Sequence, residues 1–220
     1  MRGFAMAISS RRILVALVLA SGACASQTTA LHGQADDIPL FITKGEATSL
    51  RVLRRGRRAT VLVFWSASCP CVRRYQERVE TLLERYQANG VLVVGVSSNA
   101  DETLADVQRV SRERGLRLPI WRDEDGLVAQ SLDVRTTPTV VVLDERGQKR
   151  FQGWIDNERA PGEADREPWL ESALQGVLEN RNDFAPQTPI YGCAITRRLF
   201  GTSQSHSCLA PNGPTKGSPE

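Results

Sequence analysis

Apolar positions along the chain come in short solid runs separated by amphipathic stretches. Ala59–Phe64, Val91–Val96 and Thr139–Leu143 are almost wholly apolar, the pattern of strands buried on both faces. Between the first two, Val72–Ala88 carries Val79, Leu82, Leu83 and Tyr86 at helical spacing and stops at Asn89-Gly90, which predicts a helix with a glycine end signal. Asp101–Arg114 repeats the pattern with Leu104, Val107 and Val110, and closes at Gly115; one face of that helix is buried. Shorter signals predict strands at Leu40–Ile42, Leu118–Trp121 and Lys149–Trp154. They predict turns at Lys44-Gly45-Glu46 and Asp144–Gly147, and helices at Gly126–Leu132 and Glu167–Leu178. Strands alternating with helices and ending in a hairpin and a helix indicate an α/β sheet covered on both faces.

The periodic part, residues 38–180, is one domain's worth of chain, and the ends read differently. Residues 1–25 look like an export signal: Arg2, Arg11 and Arg12 precede the apolar run Ile13–Ala20, and small residues follow. A run of eight apolar residues is too short for a permanent membrane span. Ala23-Cys24-Ala25 fits a cleavage site that releases a soluble protein. Ser21-Gly22-Ala23-Cys24 instead resembles a bacterial lipobox, with Ser21 where leucine is usual, and would attach the chain to a membrane through lipidated Cys24. Residues 26–37 read as a linker. Residues 181–220 form an extension rich in Pro, Gly, Ser and Thr, expected to be partly disordered.

Composition changes this picture little. The formal net charge is +3 over 220 residues, and a leader with three arginines and no acid accounts for all of it. Arg51, Arg54, Arg55, Arg57 and Arg58 form a basic cluster, read as a solvated loop; a docking patch for acidic partners or lipid headgroups is the sharper reading. No aromatic residue is interleaved with these arginines, so nucleic-acid binding is not indicated. Trp121, Trp154 and Trp169 read as packing residues, and Asp123-Glu124-Asp125 as an acidic loop without calcium-site spacing.

The chemistry centres on Cys69-Pro70-Cys71, where the buried strand turns into a helix. A cysteine there faces unpaired backbone amides and the positive end of the helix dipole, which favour its thiolate. Cys69 is therefore the candidate nucleophile, expected to be exposed at the helix start. After removal of the leader Cys69, Cys71, Cys193 and Cys208 remain. Export permits disulfides, and the sequence does not choose among the pairings.

Phe64-Trp65 ahead of Cys69, and Thr136-Thr137-Pro138-Thr139 ahead of the run Val140–Asp144, together resemble the thioredoxin superfamily over residues 38–178. Cys69-Pro70 with Tyr75, Ser97-Ser98-Asn99, Gly153-Trp154-Ile155-Asp156 and Gly192-Cys193-Ala194-Ile195 resemble its redoxin branch, AhpC/TSA-type and TlpA/ResA-like. The resemblance implies a thioredoxin fold and an exported thiol-disulfide oxidoreductase that needs no cofactor. It would act on a protein dithiol or disulfide and exchange electrons with a redox partner. It also implies a cis peptide before Pro138, leaving the Thr137 backbone open to pair with a substrate strand, with Trp65 and Pro70 beside the thiol. Cys69 would attack, and Cys71 or Cys193 would resolve, with Cys208 a third choice.

Departures from the pattern matter too. Val72 stands where the second cysteine of Cys-x-x-Cys belongs, and Val63 where thioredoxin keeps a buried acid. A peroxiredoxin-like peroxidase is the alternative suggested by Cys69-Pro70 and the Ser66 hydroxyl, but Leu62 replaces the proline of that motif. A thioredoxin-fold Cu(I) chaperone is another, with Cys69 and Cys71 joined by Cys193 or His206, although Sco-type chaperones space their cysteines Cys-x-x-x-Cys. The plainest reading makes Cys71 and Cys193 an inert staple. No metal site is assigned.

Overall fold

The computed structural model describes residues 35–43, 46–157 and 165–197, and the backbone of 208–209. The leader, Cys24, His32 and His206 lie outside the described residues. The elements in chain order are β1 (Pro39–Thr43), β2 (Glu46–Ser49), α1 (Leu50–Leu53), β3 (Ala59–Phe64), α2 (Pro70–Gln87) and β4 (Val91–Ser97). There follow α3 (Leu104–Glu113), β5 (Ile120–Arg122), α4 (Leu127–Ser131), β6 (Thr136–Thr137), β7 (Thr139–Asp144) and β8 (Lys149–Gly153). The chain closes with α5 (Trp169–Leu178), β9 (Gly192–Ala194) and β10 (Cys208–Leu209).

Seven strands make one mixed sheet in the order β2-β1-β5-β4-β3-β7-β8. β3 runs parallel to β4 and antiparallel to β7, residue for residue along its whole length. All six residues of β3 are buried, and the period of two sorts them onto two core layers. Val61 and Val63 face a layer built with Val79 and Leu82 of α2 and Leu170 and Leu174 of α5. Leu62 and Phe64 face the other, with Leu40, Leu50 and Val128. This is the α/β architecture that the apolar runs predict.

Boundaries shift where local capping decides them. α3 starts later than expected because Thr103 and Asp106 form a reciprocal capping box. The acidic loop is less solvated than its composition implies. Asp123 is buried and accepts from the Val128 and Ala129 amides and the Ser98 hydroxyl, capping α4. Burial pushes its carboxyl up from the ordinary value, against the Ala129 amide, Ser98 and the Val128 amide. The basic cluster is likewise not a plain solvated loop. Arg51–Leu53 belong to α1, Arg54 pairs with Asp36 at 2.5 Å, and Arg58 donates to the Leu178 carbonyl at 2.7 Å.

The extension past residue 180 begins as part of the body. Its backbone is bonded to the edge strand β8, Gln152 N–H to the Pro186 carbonyl at 3.0 Å and Thr188 N–H to the Gln152 carbonyl at 3.2 Å. Gly153 is required by this approach, since a Cβ there would collide with the Thr188 hydroxyl. A second, three-stranded sheet then joins β9 to β6 and β10. The linker reading is similarly shortened at its end, because Ala35 is buried and Asp36 is in an ion pair. Among the described residues no helix is long and apolar enough to cross a membrane.

Candidate active site

β3 delivers the chain to the site and α2 carries it away. Cys69 is the N-cap of α2 and Pro70 stands in its first turn, where a missing N–H leaves no helical bond unmade. Residues 66–69 are held from below by one buried carboxylate. Glu102 Oε1 accepts from Ser66 Oγ at 2.6 Å and from the Ser68 amide and hydroxyl, both at 3.2 Å, while Oε2 accepts from Ser97 Oγ at 3.1 Å. The Cys69 N–H donates in turn to Ser66 Oγ at 3.2 Å. Arg114 completes the support. Its guanidinium donates to the Ala67 carbonyl at 2.7 Å and lies 5.8 Å from the Trp65 ring centre. Burial pulls Arg114 below its ordinary value, with the charge of Arg73 next.

The opposite wall is the peptide Thr137–Pro138, which is cis as the resemblance implies. Thr137 does not offer an open edge, however. β9 pairs antiparallel with β6, placing Cys193 opposite Thr137 and Ala194 opposite Thr136. Cys69 and Cys193 form a disulfide with Cα atoms 6.0 Å apart, and Cys69 Sγ lies 3.3 Å from the Thr137 carbonyl oxygen, an acceptor for the thiol form. The sealed site corrects a second expectation: Cys69 is 2% exposed rather than open at the helix start.

Further bonds fix the strand. Ile195 N–H donates to the Arg135 carbonyl at 2.8 Å, Thr196 N–H to Asn99 Oδ1 at 2.9 Å, and Ala100 N–H to the Thr196 carbonyl at 2.9 Å. Gly192 has φ +146°, and a Cβ on it would run into the Thr137 carbonyl oxygen. Only glycine lets β9 come this close. Tyr191 meets Trp154 edge-on at 4.6 Å, and Trp154 packs on Tyr75 at 4.8 Å. Burial, then the charge of Asp156, pushes the Tyr75 phenol up to about 12.

Cys71 lies one residue into α2, half-buried and outside the disulfide. The sulfurs of Cys69, Cys71 and Cys193 all lie within 4.8 Å of one another. Of the residues singled out from the sequence, Cys69, Cys71, Cys193, Thr137 and Pro138 thus converge. Trp65 is buried and Pro70 is exposed. The β10 backbone sets Cys208 opposite Cys193 in register. Glu102 and the Asn99–Thr196 tie escape the sequence reading. A topological signal exists for the first: Ser66 and Ser97 follow or end neighbouring parallel strands, whose carboxyl ends gather polar groups at one edge.

The model of the AhpC/TSA family matches residues 31–151. The chain belongs to this family. As an AhpC/TSA protein it is 32% identical over 115 residues to the thiol-disulfide oxidoreductase ResA of Halalkalibacterium halodurans, a match covering 52% of this chain and 63% of that relative's length. A hypothetical protein of Sinorhizobium meliloti superposes with TM-score 0.66 at 25% identity, over 74% of this chain and 92% of the other. An uncharacterized thioredoxin-like protein of Porphyromonas gingivalis gives 0.52 at 17% identity, over 67% of this chain and 93% of its own. The thioredoxin-like fold is common to them. The AhpC/TSA match ends at Phe151, ahead of the segment that supplies Cys193.

Proposed function

We propose that the protein is an exported thiol-disulfide oxidoreductase acting on protein thiols, with Cys69 as nucleophile and Cys193 as resolving thiol. The Cys69 thiolate attacks one sulfur of a substrate disulfide, and the other substrate sulfur leaves and takes up a proton. The Cys193 thiolate then attacks Cys69 in the mixed disulfide and expels the second substrate thiol. The substrate gains two electrons and the enzyme is left with the Cys69–Cys193 disulfide, which a dithiol partner reduces. The same steps in reverse oxidise a dithiol.

The observation that carries this reading is the pairing of β9 with β6, which sets Cys193 in register opposite Thr137 and in bonding contact with Cys69. A substrate strand uses the same Thr136–Thr137 edge once β9 lets go. The name of the Halalkalibacterium relative supports the chemistry. Peroxide reduction is less favoured: the Ser66 hydroxyl is already committed to Glu102 and to the Cys69 amide. The leader and Cys24 support export, with lipid attachment as one route.

The test is insulin reduction by wild type, Cys69→Ser and Cys193→Ser. Cys69→Ser is expected at background, and Cys193→Ser is expected to accumulate a mixed disulfide at Cys69. Undiminished exchange by Cys69→Ser would overturn the mechanism. Peroxide consumption outpacing disulfide exchange would replace it with the peroxidase.

A further inference from the structure

The three sulfurs at the site outnumber what a disulfide exchange needs. We infer that the reduced protein binds one Cu(I) ion through Cys69, Cys71 and Cys193, and that forming the Cys69–Cys193 disulfide releases it. The inference goes beyond the exchange reading and stands on the thiol cluster alone.

A first-row metal–thiolate bond is about 2.3 Å long, so three sulfurs around one ion sit about 4 Å apart. The three sulfurs here already lie within 4.8 Å of one another while two of them are bonded; opening that bond lets Cys69 and Cys193 separate toward the same spacing. The scaffold holds all three without a large rearrangement. Cys69 is the N-cap of α2 and Cys71 stands two residues on, past Pro70, and Cys193 is held opposite Thr137 by the β6–β9 ladder.

Donor chemistry selects the ion. Soft thiolates favour Cu(I) and zinc over harder cations. Zinc in a structural site takes four ligands, whereas the thiol cluster found among the described residues supplies three. Three sulfurs suffice for trigonal Cu(I). Cys69 and Cys193 are buried, so the ion would be shielded from water. The start of an 18-residue helix at the sulfurs offsets the negative charge of the thiolates.

The steps balance. A dithiol reductant gives two electrons and two protons to the Cys69–Cys193 disulfide, which makes three thiols with Cys71. Cu(I) then replaces the thiol protons, which pass to solvent, and three copper–sulfur bonds form. When a disulfide-bearing oxidant takes two electrons from Cys69 and Cys193, two of the three donors are lost and the ion leaves.

The experiment is anaerobic competition between the full-length protein and a chromophoric Cu(I) chelator, for reduced and oxidised wild type and reduced Cys71→Ser and Cys193→Ser. X-ray absorption on the loaded protein and a parallel Zn(II) titration accompany it. The expected result is one Cu(I) per reduced chain in an all-sulfur trigonal shell, with oxidised protein leaving the chelator loaded. Each single substitution should weaken binding by more than about 100-fold, above what outer-shell partners contribute. Absence of competition by reduced wild type overturns the inference. Affinity unchanged in Cys71→Ser, or Zn(II) held more tightly than Cu(I), overturns it as well. Insulin reduction reports separately on the exchange reading, so the two can fail independently.

Discussion

The two cysteines of the disulfide are held by opposite kinds of structure. Cys69 caps an 18-residue helix whose entry loop is tied by three bonds to the buried Glu102 carboxylate, which Ser97 at the end of β4 also holds. Cys193 sits in a three-residue strand, paired to the two-residue strands β6 and β10 and tethered by a few further backbone bonds at its end. Local stability follows the density of buried contacts and shared hydrogen bonds. The nucleophile is therefore fixed, and the thiol that answers it rides on the part of the site that opens most cheaply. A substrate strand that takes the Thr136–Thr137 edge must displace β9, and the return of β9 brings Cys193 back to resolve.

The contrast can be broken most severely at the thiols. Cys69→Ser should bring disulfide exchange to background, while Cys193→Ser should keep the first attack and lose turnover, as quenched mass spectrometry of the mixed disulfide would show. Gly192→Ala comes next, because its Cβ meets the Thr137 carbonyl and pushes β9 away with every cysteine intact. Alkylation of Cys69 in the reduced variant should quicken about tenfold or more, corresponding to about 1.4 kcal/mol of easier opening. An unchanged rate would mean that β9 does not cover the thiol in solution.

The fixed side breaks differently. Glu102→Ala leaves the Ser66, Ser68 and Ser97 donors without their charged acceptor, and should cost about 3 kcal/mol in denaturant unfolding. Its effect should fall on global stability, whereas Gly192→Ala acts on local opening. The smallest effect concerns pH. The Tyr75 phenol, raised to about 12 in the fold, stays protonated while an unfolded tyrosine ionises near 10. Its contribution is complete below pH about 10 and is lost as pH rises through about 12. Wild type should lose stability across that window, and Tyr75→Phe should lose less.

Legibility in the sequence follows the same division. β3, β4 and β7 are apolar runs buried on both faces, so their periodicity alone finds them, and the Cys69 cap follows from the change of period at Pro70. Gly192-Cys193-Ala194-Ile195 draws attention only through resemblance. Its strand has three residues, and its stability comes from pairing with Thr136–Thr137 more than fifty positions away in sequence, which leaves no local pattern. The exposure expected for Cys69 fails for the same reason, since β9 is what covers it. Asp123 reads as an ordinary loop acid, and Glu102 is absorbed into the helix predicted from Asp101, because charge alone does not reveal burial; only the folded arrangement of the serines and helix amides gives their carboxylates partners. The basic cluster errs in the same direction, Arg54 finding Asp36 and Arg58 finding a helix-end carbonyl.

The most direct test of Cys193 as the answering thiol is peptide mapping of disulfides in protein reduced with a dithiol and reoxidised by one equivalent of a disulfide substrate, sampled over time. The account predicts that Cys69–Cys193 is the first intramolecular disulfide to form after the mixed disulfide decays. A Cys69–Cys71 bridge appearing first, with Cys193 joining later or only with Cys208, would contradict it.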